Sequence, residues 1–410
     1  MTSLRSFLIA ATIGGAAWSA QADGPPARKA PADLPEIKKL PDPFTFQDGS
    51  KVKDRADWPR RRAELQGLFQ DYEYGHLPPK PEFMTILRGE PKSDETAKVV
   101  RQDLDVTLNH AGKSLTFHVA LTLPAGADGP VPAVIQSTFG PPRGATPAKA
   151  QGKAQPAPRP DRLAVFTDRG YAVAEPSFVE FAPDRKDHDR TAGVYALFGP
   201  DIDCGALMAW AWGVSRTIDA LERDDRIDAK KIVVTGHSRY GKAALLAGAF
   251  DDRVALTVPS HSGSGGASPY RFIFGKAEQL HNAATAFPHW FRPGFAEFIG
   301  HVDRLPIDQH ELRALVAPRP LLATEGTQDT WISPQGSQLT HQAARKVYDF
   351  LGAPDRISIR FRPTGHIPSN EDLVDFADHL FRNKPLPPEF SQLAYPEETN
   401  AFDWDVPQPR

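Results

Sequence analysis

The most constraining feature of this 410-residue chain is a β-branched run that meets a serine-bearing turn and then a helix-forming segment. Residues 232–235 favour a strand, residues 236–242 supply small and polar side chains, and residues 243–250 are rich in alanine and leucine. Gly236 allows the strand and the helix to approach closely because it carries no Cβ. The stretch therefore predicts a strand, a sharp turn and a helix, with the hydroxyl of Ser238 standing clear of a sheet.

A serine in this position is a candidate nucleophile, because the layout is that of the nucleophile elbow in α/β-hydrolases. The N-terminus of the following helix directs its free N–H groups at the place where negative charge develops during acyl transfer. The pattern here is Gly-x-Ser-x-x-Gly, whereas Gly-x-Ser-x-Gly is commoner. A serine that only caps the helix therefore stays open as an alternative.

A serine hydroxyl needs a base, normally a histidine that a carboxylate orients. In α/β-hydrolases the acid and then the histidine follow the serine along the chain. His366 lies just beyond a predicted strand at 357–361, and Asp329 follows another at 320–324. Glu325 competes for the role of the acid, although it lies closer to the strand end. The order Ser238, Asp329, His366 predicts a catalytic triad.

The rest of the chain predicts an α/β fold with a three-layer arrangement. A helix at 58–74 comes first, and alternation between 97 and 123 indicates an antiparallel hairpin. From residue 131 onward strands alternate with helices, which is typical of a mostly parallel sheet covered on both faces. The predicted strands there lie at 131–136, 170–174, 232–235, 254–259, 320–324 and 357–361, and the helices at 204–222, 243–250, 341–351 and 370–381.

Composition shifts divide the chain into a leader and one large domain. Residues 1–22 are typical of a signal peptide, with a basic start, an apolar run too short to span a membrane and a small-x-small cleavage site. Residues 23–39 are expected to be a disordered lead-in. A single domain then covers 40–410 and includes a flexible insertion at 141–161 and a proline-rich surface tail at 384–410. We expect a secreted or periplasmic protein that is free of the membrane after cleavage.

Charge and cysteine content exclude some classes of partner. The formal net charge is −3 and no basic stripe is visible, so nucleic acid is not an expected partner. Cys204 is the only cysteine, so no intramolecular disulfide can form. We expect its thiol to be buried and inert, and the protein to be a monomer.

Several motifs together resemble the glucuronoyl esterases, carbohydrate esterase family fifteen. The most specific is Gly-x-Ser-Arg-x-Gly-Lys at 236–242. The other similar stretches lie at 40–44, 74–78, 210–216, 287–291, 308–310 and 317–320. The resemblance implies an α/β-hydrolase that cleaves the ester between 4-O-methyl-glucuronic acid on xylan and lignin alcohols, with no metal or organic cofactor.

The resemblance also implies roles for individual residues. It makes Ser238 the nucleophile and His366 the base, and it lets Arg239 stabilise the oxyanion. Lys242 lies one helical turn after Ser238 on the same face, where a cation could hold sugar hydroxyls or offset acidic charge. The residues that would line the uronate pocket are Lys242, Glu278 and Trp331.

One departure from the family pattern concerns the acid. Many members carry glutamate two residues before a glycine-rich loop, and here His261 occupies that position, ahead of 263–266. The carboxylate must then come from Asp329, an arrangement that resembles other, mainly bacterial, members. His261 also leaves two alternatives open: an acetyl-xylan or other carbohydrate esterase, and a catalytically inactive carbohydrate-binding relative.

Overall fold

A ten-stranded mixed sheet runs through the described part of the chain, which is residues 28–137, 162–187 and 189–408 of a computed structural model. The spatial order is β1-β3-β4-β6-β5-β7-β8-β9-β10, and β2 pairs with β3. The strands are β1 Phe83–Arg88, β2 Lys92–Asp94, β3 Val99–His110, β4 Lys113–Pro124, β5 Val131–Gln136, β6 Ala172–Pro176, β7 Ile227–His237, β8 Val254–Ser260, β9 Leu321–Gly326 and β10 Ile357–Arg362.

Strand direction divides the sheet into two parts. The strands β5 to β10 pair with one another in parallel, whereas β1 to β4 form an antiparallel extension that joins the sheet through β4 and β6. Strand β5 is buried at all but its last residue, as a strand covered on both faces must be. The predicted fold class is thus confirmed, including its antiparallel N-terminal strands.

Helices cover both faces of the sheet. Ile232 and Val234 on β7 belong to the main core with the long central helices, whereas Val233 points the other way and packs in the cluster of Leu373 and Phe376. This alternation gives the three layers. The helices are α1 Trp58–Phe69, α2 Ala164–Thr167, α3 Val194–Phe198, α4 Ala206–Leu221, α5 Arg239–Phe250, α6 Leu280–Ala286, α7 Gln309–Ala314, α8 Pro334–Leu351 and α9 Asn370–Arg382.

Most of the predicted elements are present, and three helices differ clearly at one end. Helix α5 begins at Arg239, four residues before the predicted start at 243. The predicted helix 58–74 is α1 followed by a π-helical turn, Gln70–Tyr74. Helix α8 begins at Pro334, seven residues earlier than expected at His341, because the Ser333 hydroxyl accepts the N–H of Gly336 and Pro334 takes the first helical position. The start of α8 is therefore determined by a capping residue and not by the periodic apolar residues from which the helix was predicted.

The two ends of the described chain pack against the domain. The lead-in expected to be disordered is described from residue 28, and there the N–H of Ile37 donates to the carbonyl of Asp303. The tail lies along the surface, yet it buries Phe390 and Ala401 in the core. The predicted signal peptide, 1–22, and the predicted insertion, 141–161, lie outside the described residues.

Burial places two tryptophans in the core and agrees with the expectation for the cysteine. Trp210 and Trp212 in α4 are fully buried, so they belong to the core. Cys204 is a free, buried cysteine, and burial raises the pKa of its thiol to about 12. No helix of the described residues is both long and apolar enough to cross a membrane.

Candidate active site

The serine turn has the strained geometry of an elbow. Ser238 stands between the end of β7 and the start of α5 with φ 59° and ψ −126°, a conformation that non-glycine residues rarely adopt. Its N–H donates to the carbonyl of Ser260 at 2.9 Å. A Cβ on Gly236 would lie 2.2 Å from the carbonyl oxygen of Tyr240, so only glycine fits there. The local sequence thus forces the serine onto a sharp turn.

Asp329 and His366 meet at the carboxyl ends of two neighbouring parallel strands. Strands β9 and β10 pair in register, so the loops that follow them leave the sheet at one edge. His366 Nδ1 lies 2.5 Å from Asp329 Oδ2, a charge-assisted hydrogen bond in which the ring donates. The two loops are also joined by the N–H of Gln328, which donates to the carbonyl of Thr364.

Glu325, the competing acid, is turned away from the histidines. It lies within β9, is 2% exposed and accepts the hydroxyl of Ser337 at 2.6 Å. Its other carboxyl oxygen is buried with no hydrogen-bond partner among the described residues. Burial raises the pKa of Glu325 to about 8. The geometry therefore favours Asp329 over Glu325 as the partner of His366.

The turn of Ser238 and the loop that carries His366 are in contact through a second histidine. The ring of His237, immediately before the serine, lies 4.3 Å from the ring of His366, centroid to centroid. In the described part of the chain, Ser238 Oγ and His366 form no hydrogen bond with each other. Such bonds are often long in unliganded enzymes and tighten when substrate binds.

His261 completes a group of three histidine rings. Its ring centroid lies 5.5 Å from that of His366 and 5.3 Å from that of His237, and its Nδ1 is 3.0 Å from the hydroxyl of Ser260. Burial lowers the pKa of His237 to about 3 and that of His261 to about 4. Both rings are therefore neutral and weakly basic near neutral pH. His366 has 41% of its side chain exposed, which fits its predicted role as the base.

Arg239 is held by a carboxylate and two aromatic rings. Its Nη1 donates to Asp184 at 2.6 Å, and its guanidinium carbon lies 4.9 Å from the centroid of Trp290 and 5.1 Å from that of Phe287. Its Nε is buried and has no hydrogen-bond partner in the described part of the chain. A fixed, unused donor beside the serine fits the predicted role at the oxyanion.

Asp184 is a site residue that the sequence did not reveal. It accepts hydrogen bonds from His289 at 2.8 Å and Trp290 at 2.9 Å as well as from Arg239. Burial alone would raise the pKa of Asp184, but these three donors outweigh it and lower the pKa to about 2. The one sequence signal was the 287–291 motif, which supplies two of the three donors.

Hydrogen bonds bring the predicted uronate-pocket residues together. The Lys242 ammonium donates to Glu278 Oε2 at 3.1 Å, to the carbonyl of Ser262 at 2.6 Å and to that of Ser264. An ammonium has three protons, so all of them have acceptors within the chain. The N–H of Glu278 donates to the carbonyl of Trp331, whose side chain is half exposed.

Comparison with known proteins decides the family. The family model described as "Glucuronyl esterase, fungi" matches residues 106–352. This chain belongs to the glucuronoyl esterase family. It is 36% identical over 329 residues to a 4-O-methyl-glucuronoyl methylesterase of Schizophyllum commune, a match that covers 77% of this chain and 74% of that protein. The resemblance inferred from the motifs is thereby confirmed, and the protein is a carboxylic ester hydrolase.

Solved structures of family members agree with this assignment. A carbohydrate esterase family 15 glucuronoyl esterase from Caldicellulosiruptor kristjansonii superposes with a TM-score of 0.77 at 35% identity, over 92% of this chain and 99% of that one. A variant of the Sporotrichum thermophile glucuronoyl esterase, in complex with methyl 4-O-methyl-β-D-glucopyranuronate, gives 0.71 at 30% identity, over 88% and 93%. These matches confirm the α/β-hydrolase fold.

Proposed function

We propose that this glucuronoyl esterase cleaves esters of glucuronic acid and its 4-O-methyl form by acyl transfer through Ser238, His366 and Asp329. The observation that carries the proposal is the 2.5 Å contact between His366 Nδ1 and Asp329 Oδ2, next to the strained serine turn. The methylesterase name of the Schizophyllum relative and the uronate ester bound to the Sporotrichum enzyme support the substrate class.

The reaction follows from the arrangement of these groups. Ser238 Oγ attacks the ester carbonyl while His366 takes the hydroxyl proton, and Asp329 stabilises the imidazolium that forms. The N–H groups at the start of α5 and the free Nε of Arg239 stabilise the oxyanion. His366 then gives its proton to the departing alcohol. Water attacks the acyl-enzyme with His366 again as base, which releases the uronic acid and restores the serine.

The sugar side of the substrate is assigned to the wall formed by Glu278, Lys242 and Trp331. Lys242 fixes the Glu278 carboxylate, which can accept sugar hydroxyls, and the half-exposed indole of Trp331 offers a flat apolar surface to the sugar ring. The natural substrate would be the ester between glucuronoxylan and lignin alcohols. We propose that the enzyme is a secreted or periplasmic monomer. It is made with a signal peptide at 1–22 and folds as one domain from residue 40.

The direct test is hydrolysis of benzyl glucuronate by the wild type and by Ser238→Ala. We expect loss of at least about 10³-fold in kcat, as for other triad nucleophiles, with an unchanged melting temperature. Ser114→Ala, an exposed serine on the β3–β4 hairpin, serves as the matched control and keeps full activity. Substantial activity in Ser238→Ala would contradict the assignment of the nucleophile.

A second substrate tests the uronate specificity. The wild type should turn over benzyl glucuronate with a higher kcat/KM than an acetylated sugar. The opposite preference would favour the acetyl-xylan esterase alternative. Turnover of neither ester would favour an inactive carbohydrate-binding relative.

A further inference from the structure

Both cations that follow the serine are already paired with carboxylates. Arg239 Nη1 lies 2.6 Å from Asp184 Oδ2, and Lys242 Nζ lies 3.1 Å from Glu278 Oε2. The side chains of Lys242 and Glu278 are 3% and 7% exposed, and that of Asp184 is 16% exposed. Solvent screens the buried Lys242–Glu278 pair only weakly, and it screens the other pair more because the Arg239 side chain is 29% exposed. In both pairs the carboxylate offsets the charge of its cation.

The two buried histidines beside the serine turn add no positive charge at neutral pH. Burial lowers the pKa values of His237 and His261, so both rings are neutral. Burial raises the pKa of Glu325 to about 8, so this carboxyl is largely protonated. Asp329 beside His366 contributes one negative charge. Among Arg239, Lys242, Asp184, Glu278 and Asp329, the carboxylates thus outnumber the cations by three to two.

Ester hydrolysis changes the charge of the ligand at one position. The uronate ester is neutral at the carbonyl that Ser238 attacks, whereas the acid left after hydrolysis is a carboxylate at neutral pH. An uncompensated cation beside the serine would attract this carboxylate more strongly than the ester, and the product would then occupy the site.

On the basis of the proposed function, we propose that Asp184 and Glu278 are specificity-determining residues that keep the pocket from attracting anions, so that it binds the neutral ester and releases the acid product. The oxyanion of the tetrahedral intermediate does not need a net positive pocket, because directed donors at short range stabilise it. Asp184 engages only Nη1 of Arg239 and leaves Nε free for this purpose.

The proposal is tested by comparing a charged and a neutral ligand of the same shape. Glucuronate and glucuronamide are titrated calorimetrically into the Ser238→Ala protein, which cannot turn either over, at pH 7.5 and low salt. We expect glucuronamide to bind at least as tightly as glucuronate. Glu278→Gln and Asp184→Asn, each added to this background, should raise the affinity for glucuronate relative to that for glucuronamide by at least about tenfold, because each leaves one cation without its carboxylate. The ratio of the two affinities is the readout, because glucuronamide shares the sugar hydroxyls that Glu278 contacts but carries no charge.

The control is Asp403→Asn, which removes an exposed carboxylate paired with Lys39 at 3.3 Å and should alter neither affinity. An unchanged ratio of the glucuronate affinity to the glucuronamide affinity in the two pocket variants would overturn the proposal. So would tighter binding of glucuronate than glucuronamide by the Ser238→Ala protein itself, a measurement that needs neither pocket variant to fold. Turnover of benzyl glucuronate by the wild type is measured separately, so failure of the charge proposal is distinguishable from failure of the proposed function.

Discussion

At the scale of single residues, the choice of acid depends on where a strand ends. Strand β9 continues to Gly326, so Glu325 is still part of the sheet and its side chain enters the core beside Ser337. Asp329 lies three residues beyond the strand, in the loop that faces His366. Two carboxylates close in sequence therefore have different environments, and only Asp329 contacts His366, the proposed base.

The first prediction separates these two carboxylates. Asp329→Asn keeps the shape of the side chain but removes the charge that stabilises the imidazolium, so kcat should fall by about 10²- to 10⁴-fold. Glu325→Gln, the matched control, should change kcat much less. The measurement is steady-state hydrolysis of benzyl glucuronate, with circular dichroism to show that both variants fold. Near-full activity of Asp329→Asn, together with loss in Glu325→Gln, would mean that the acid is misassigned.

Motif and chain order were sufficient to identify Ser238, Asp329 and His366 as candidates, because each follows a strand of the parallel sheet. They were not sufficient for Asp184, which lies in an irregular segment far along the chain from Arg239. Its contacts with Arg239, His289 and Trp290 exist only after the chain folds. Because only the fold brings Asp184 and Arg239 together, their spacing in the sequence does not indicate that they interact.

At the scale of elements, the loops after β9 and β10 are packed against each other at Gly326. A Cβ on Gly326 would lie 2.4 Å from the carbonyl oxygen of Thr364 and 2.5 Å from that of Gly365. It would also lie 3.0 Å from Nε2 of His261. The distance between the loop of Asp329 and the loop of His366 is therefore fixed by close packing at Gly326.

We therefore predict that Gly326→Ala displaces the base loop. The protein should lose about 1–3 kcal/mol of unfolding free energy, typical of overpacking, and kcat should fall at least about tenfold because His366 shifts relative to Ser238. Gly365→Ala is the matched control: it adjoins His366, but its Cβ would meet no atom within 4 Å. Urea unfolding and kcat are the measurements, and a fully active Gly326→Ala would show that the two loops adjust independently.

The periodic elements were predicted from the sequence, whereas contacts between segments were not. Residues 232–250 carry the side-chain patterns of a strand and a helix, and such patterns can be recognised from neighbouring residues alone. The packing of Ile37 against the 301–305 region and of the tail on the core depends on single long-range contacts without a period. The first turns of α8 were missed for a related reason, since the cap at Ser333 is one hydrogen bond and not an apolar stripe.

At the scale of the whole molecule, buried acids make the stability depend on pH. Burial raises the pKa of Glu325 to about 8 and that of Glu73 to about 7, whereas both would ionise near 4.5 in the unfolded chain. Above pH 4.5 the folded protein then holds more protons than the unfolded chain, so its stability falls as pH rises. His237 and His261, whose pKa values are lowered, have the opposite effect, but only below pH 6.5.

Between pH 6.5 and 8 the change of stability with pH therefore reports on the buried carboxyl groups and not on these histidines. We predict that the free energy of unfolding falls across it, by at most about 1.4 kcal/mol per pH unit for Glu325. Glu325→Gln should flatten the dependence, because an amide has no proton to lose. Urea denaturation at a series of pH values measures both slopes. A wild-type stability that is constant or rises through this window would contradict the prediction, as would an unchanged slope in Glu325→Gln.

The position of β10 in the sheet has a consequence for inactivation. In the order of the described strands β10 is the last, with β9 as its pairing neighbour, and the base follows directly after it. The nucleophile, in contrast, follows β7, which has a parallel neighbour on each side. Outer strands open locally at a lower free-energy cost than central ones. At mild heat or low denaturant, β10 would thus open and His366 would leave the site before the turn of Ser238 unfolds. Activity would then be lost while most of the molecule is still native.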